Sequence, residues 1–155
     1  MNRIVTGYDS AGQPVILRQG DPPVVIHAGR YTTTELWVSE RGPVTPTTAD
    51  NSAAADWALE PPAGGACFRI VEIAPAQTPP GATGQAAHDE FQGTHATDTL
   101  DYVTILSGEV TLVVGGSEVV LRPGDSVVQQ PGVPHDWQNR SDAPAVMVGV
   151  LLSAG

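Results

Sequence analysis

The 155-residue chain has no lysine, one cysteine and two phenylalanines. It also has no apolar run near the roughly 18 residues that a spanning helix needs. Each absence excludes something. Seven arginines stand against 17 acidic residues, a formal net charge of −10, and they are scattered. A surface so acidic, with no basic patch, repels phosphate backbones and anionic lipid, so neither a nucleic-acid nor a membrane partner is expected. The lone Cys67 cannot close a disulfide within the chain. Set in the apolar run CFRIVEI, it reads as a small buried hydrophobe and suits a reducing compartment. The start lacks the charged-then-apolar pattern of an export signal, so the expected location is the cytoplasm.

What is abundant is punctuation. Seventeen Gly and 14 Pro separate short runs rich in Val, Ile, Leu and Thr, which favours an all-β sandwich or barrel of antiparallel strands. Candidate strands are 3–6, 14–17, 24–27, 33–38, 67–73, 99–106, 110–114, 118–121, 126–129, 136–139 and 146–152. Only residues 51–59, NSAAADWAL, suggest a helical turn. In VTLVVGGSEVVL the pair Gly115 and Gly116 tolerates the positive φ that a tight hairpin demands, and RPGDS makes a second sharp turn. Strands joined by such short links must run antiparallel. The length fits one domain, residues 1–155, with N-terminal strands and a long loop over 1–66 and a barrel core over 67–152. Two long irregular segments, 39–65 and 75–94, are candidate functional loops.

The stretch GTHATDTLDYVTILSGE, residues 93–109, crowds a His and two Asp ahead of a strand, and RPGDSVVQQPGVPHDWQN, residues 122–139, carries a second His behind a Pro-Gly turn. Together they resemble the two sequence motifs of the cupin superfamily. His95 matches the first His of the pattern, Thr97 stands where a second His would be, and Asp101 takes the place of the Glu, seven residues ahead of Gly108. Gly124, Asp125, Gly132, His135 and Asn139 match the second motif, with Pro131 one position late. The resemblance implies a cupin-type jelly roll with extra N-terminal strands, a site in the open end of the barrel, and a divalent metal such as iron, manganese or zinc on His95, Asp101 and His135.

Two imidazoles and a carboxylate are the ligand set of a facial triad. Thr97 offers only a neutral hydroxyl, and Asp101 reaches one methylene less far than Glu, so the motif is incomplete. Without a metal, the same three residues form an acid/base constellation: His95 or His135 moves a proton at a substrate carbon and Asp101 orients it. Thr97, Arg69 and Trp137 are the candidate ligand-binding residues. Trp137 shares a strand face with His135, and Arg69 sits among apolar residues on the face opposite to Glu72. His27 and His88 lie outside the motifs, His88 as a candidate lid residue. Asp125 suits a turn and Asn139 a tied loop. The reading is a small-molecule-binding barrel, an enzyme acting on an organic acid or an aromatic or polyketide-like metabolite, or else a binding or sensing barrel that has lost its metal. The N-terminal strands suit a homodimer.

Overall fold

The computed structural model describes residues 1–43, 45–46, 50–51, 57–77 and 93–155. These residues form eleven strands, β1 (Arg3–Tyr8), β2 (Pro14–Gly20), β3 (Val24–Ala28), β4 (Tyr31–Ser39), β5 (Ala66–Ile73), β6 (Thr99–Ser107), β7 (Val110–Val114), β8 (Ser117–Leu121), β9 (Ser126–Gln129), β10 (Asp136–Gln138) and β11 (Ala145–Ser153). Every strand read from the sequence is present, with ends moved by a few residues. The helical turn expected over 51–59 falls largely on residues outside those described, and so does His88.

Alternation explains why these runs become strands. In β5, Cys67, Arg69, Val71 and Ile73 are buried while Phe68 and Glu72 are exposed, the period of two that a sheet with one covered face requires. The strands assemble into a β1-β2 hairpin, a three-stranded sheet β10-β7-β8 and a six-stranded sheet β3-β4-β5-β11-β6-β9, all antiparallel in their pairings. Val71, Ile73, Ile105 and Met147 of the larger sheet and Val110, Leu112 and Trp137 of the smaller share one core. Burying each such side chain contributes roughly 1.5–3 kcal/mol. The larger sheet reaches further toward the N-terminus than the expected core over 67–152, because β4 pairs with β5 along almost its whole length and turns Tyr31, Thr33 and Glu35 inward.

Two glycines fix turns between strands. Gly108, between β6 and β7, has φ +74°, and a Cβ there would stand 2.4 Å from the Pro144 carbonyl oxygen. Gly115 has φ +57° at the hairpin between β7 and β8, as its sequence context requires.

Candidate functional site

Backbone pairing brings the two motifs together. His95 and His135 form an isolated antiparallel bridge, each N–H donating to the other's carbonyl, at 2.9 Å from His95 and 2.8 Å from His135. The Gly132 N–H donates to the Thr97 carbonyl at 2.9 Å and extends the join. The two imidazoles therefore lie against one another, centroids 4.5 Å apart and planes tilted by 55°.

Both rings are oriented from behind. Nδ1 of His95 lies 3.1 Å from the Gly93 carbonyl oxygen and Nδ1 of His135 lies 2.9 Å from that of Val133. A carbonyl only accepts, so each Nδ1 carries the hydrogen, and in the neutral ring Nε2 keeps its lone pair; both residues line one cavity. Burial holds the His135 pKa below the usual histidine value, against the raising pull of the Val133 carbonyl, so this ring is neutral at physiological pH.

That cavity lies between the sheets, about 60 Å³ in volume, with Asp101, Arg69 and Trp137 in its wall beside Val103, Met147 and Leu151. Asp101 projects from β6 beside Leu151 of β11 and Gln129 of β9. Burial pushes its carboxyl upward, opposed by the Thr99 hydroxyl and by His135, and its Oδ1 is buried without a hydrogen-bond partner. A larger groove of about 1490 Å³ runs between the β1-β2 hairpin and the outer face of β4 and β5. It contains none of the motif residues.

The other expected site residues divide. Trp137 is both cavity wall and core, 6.1 Å edge-on from the His135 ring. Thr97 is buried but is not part of the cavity wall, and its hydroxyl oxygen accepts a hydrogen bond from Thr99 at 2.8 Å. Arg69 lines the cavity, while its guanidinium is committed elsewhere: Nη2 to Glu35 at 2.9 Å and Nη1 to the Leu59 carbonyl at 2.8 Å, with Trp57 stacked at 5.4 Å. Asp125 accepts the Arg122 N–H and closes its turn, and Asn139, fully buried, donates to the Ile73 and Ala143 carbonyls. His27, on β3, is far from this group in chain order and contacts Thr32 of β4.

Glu35 escaped sequence reading. It faces Arg69 across the β4-β5 ladder, 2% exposed, and burial pushes its carboxyl up even beside the guanidinium. The only signal was its parity with Tyr31 and Thr33, which carries no indication of the partner strand. Its Oε1 and Arg69 Nε are further buried atoms without a partner.

The metal expectation meets a difference here. Among the described residues no three His, Cys, Asp or Glu side chains form a group able to hold an ion. The imidazoles converge, but Asp101 is held in a setting that favours its protonated form, and ligation needs the carboxylate. Thr97, at the position of the missing imidazole, is engaged by Thr99. The donor set does not fit a three-ligand divalent centre in this arrangement.

Comparison with known proteins agrees with this fold and its motifs. The cupin domain family matches residues 76–151. Two proteins of Diaporthe leptostromiformis, phomopsin biosynthesis cluster proteins C' and D, are each 31% identical over 163 aligned residues, covering 99% of this chain and 78% of theirs. A Cupin 2 conserved barrel domain protein from Salinispora arenicola superposes with a TM-score of 0.54 at 18% identity, over 88% of this chain and 87% of its own. Apo-HppE superposes at 0.53 and 14% identity over 94% of this chain, which spans 61% of that protein. The two structural likenesses bear on the fold alone. Relatives 31% identical along nearly the whole sequence, and a family match spanning both histidine motifs, establish that this chain belongs to the cupin family.

Proposed function

We propose that the barrel binds a small organic metabolite and moves a proton on it, with His135 as base, His95 beside it and Asp101 supplying or orienting the second proton. One observation carries this reading: two imidazoles fixed through Nδ1, and so left with Nε2 as an acceptor, line the cavity that also holds a buried carboxyl of raised pKa. An imidazole held neutral by burial can take a proton, and a carboxyl that burial holds above its ordinary pKa can keep or give one. Similarity to two biosynthesis-cluster proteins supports a small-molecule substrate. The cavity is far below the roughly 300–1,000 Å³ of whole-ligand pockets, so it receives the reacting head of the molecule while the rest lies toward the mouth. The lone buried Cys67, its thiol pushed up to about 12 by burial, suits a reducing cytoplasm.

Proton transfer is read directly by NMR, as deuterium incorporation into candidate metabolites incubated with the protein in D₂O. Exchange is expected with the wild type and should fall by roughly 10²-fold or more in His135→Ala. Exchange that survives in a folded His135→Ala protein sinks the reading. Ligand-dependent stabilisation without exchange would make the barrel a binder instead.

A metal-bound form is the second reading, favoured by the two Nε2 lone pairs alone. Elemental analysis of wild type and His95→Ala decides it. Near one equivalent of a transition metal in the former and little in the latter would adopt it; the donor set leads to the expectation of substoichiometric metal in both.

A further inference from the structure

The lining of the cavity carries an asymmetry that selects among ligands. Its open acceptors come from the two motif imidazoles, Nε2 of His95 and Nε2 of His135. Several of its donors are engaged. The Tyr31 hydroxyl donates to the Trp137 carbonyl at 3.0 Å, and Arg69 is held by Glu35 and by the carbonyls of Leu59 and Ala58. What remains to donate is the Nε–H of Arg69, the indole N–H of Trp137 and the Asp101 carboxyl in its protonated form, whose Oδ1 is buried without a partner.

From this asymmetry we infer that the head group bound in the cavity is an uncharged hydroxyl, of an alcohol, phenol or enol, rather than a carboxylate or an ammonium group. The inference rests on the proposed binding role of the cavity and names its ligand class. A hydroxyl donates to an imidazole nitrogen and accepts from an indole or guanidinium N–H. A carboxylate can only accept, so it would leave the buried acceptors facing its own oxygens, and the arginine charge that would draw it is already matched by Glu35. An ammonium can only donate, so it would satisfy the imidazoles and leave the N–H groups of Arg69 and Trp137 without an acceptor. Unpaired buried groups are the usual source of strong discrimination between otherwise similar ligands.

The structure also assigns the residue that makes room for this head. Gly149, midway along β11, lies between Arg69 of β5 and Val103 of β6 and lines the cavity. Its φ lies outside the left-handed region, and an added Cβ would find Leu151 and Val103 at the ordinary distances of 3.5 and 3.8 Å. No backbone requirement therefore demands glycine. A glycine inside a strand that needs none marks close approach by something else, here the ligand.

The test is an NMR titration of the full-length protein in the presence of EDTA, following the ring signals of His95 and His135. The probes are phenol, benzoate and benzylamine, which share an aromatic body and differ in the head. Phenol should saturate both rings with a dissociation constant about tenfold or more below those of the other two. Gly149→Val should weaken phenol by a similar factor and Gly149→Ala by less, with thermal unfolding confirming that both remain folded. If Gly149→Val does not fold, the Gly149→Ala titration alone decides the point, and unaltered phenol binding there overturns the role of Gly149. Benzoate or benzylamine binding as tightly as phenol overturns the hydroxyl assignment. So does the absence of saturation by any probe, or phenol binding that appears only after zinc is added in excess of the chelator. Proton exchange lost in His135→Ala while phenol shows no preference would leave the acid/base reading standing and this one fallen. Phenol preference without any exchange would do the reverse.

Discussion

Asp101 is held in the folded protein at a cost. Its carboxyl is 7% exposed, one oxygen has no partner, and burial outweighs the pull of Thr99, His135 and Arg69 on its pKa. Because the folded pKa lies above the ordinary 3.8, the native state holds this proton to higher pH than the unfolded chain does. The cost of ionising it in place therefore grows as pH rises through that window and is fully present above the folded pKa. His135 has the opposite sign of shift. Its folded pKa is below 6.5, so the unfolded chain takes up a proton first as pH falls, and stability from this ring is full above that value and lost below it. Asp101→Asn should raise the Tm at pH 8 by about 2–4 °C, equivalent to about 1 kcal/mol, while abolishing proton exchange. Differential scanning calorimetry against pH checks the sign: the gain must shrink toward zero as pH approaches 4. A gain that is constant with pH would assign the effect to packing.

At the scale of elements, the link from β6 to β7 packs against the chain that enters β11. Gly108 combines a left-handed backbone with a Cβ position blocked by the Pro144 carbonyl and the Ala145 backbone, neither of which is a flexible side-chain end. Gly108→Ala should therefore destabilise by about 2–4 kcal/mol, a fall in Tm of about 5–15 °C. Thermal unfolding of that variant checks it, and a change under 2 °C would mean the turn rebuilds freely. The loop after β10 is tied in a different way. Asn139 donates to two carbonyls and accepts from the N–H and hydroxyl of Ser141, so its place in the second motif reflects support of the site from outside the cavity. How far elements were legible follows from their causes. Strand runs and turns were readable because period-two alternation and turn glycines are local properties of the chain. That Arg69 and Glu72 lie on opposite faces was readable from parity, but which of them turns inward was not, nor was the commitment of Arg69 to Glu35, since 34 residues separate the two and only the β4-β5 register joins them.

The whole molecule presents an outer face that a lone barrel leaves wet. Register aligns Trp37, Phe68, Val150, Tyr102 and Val128 in one row across five strands of the larger sheet, and Phe68, Tyr102 and Val128 are exposed. Contiguous apolar surface of this kind marks an association site, and a second copy of the chain is the occupant we expect. Light scattering at micromolar concentration should report a mass near twice 16.1 kDa. With a net charge of −10 on each copy, the dimer fraction should rise between low salt and roughly 0.15 M as repulsion is screened. A monomer at both ionic strengths ends that expectation.

The sequence by itself determined the class of fold and the strands, which follow from local periodicity and turn chemistry, and its resemblance to the cupin motifs implied that His95 and His135 share a site. Only the tertiary structure decided how large the cavity is, that Glu35 matches the charge of Arg69, and that Asp101 and the imidazoles do not close into a three-ligand group. Those properties depend on side-chain packing and on pairings between strands remote in the chain, and neither leaves a trace in the order of neighbouring residues.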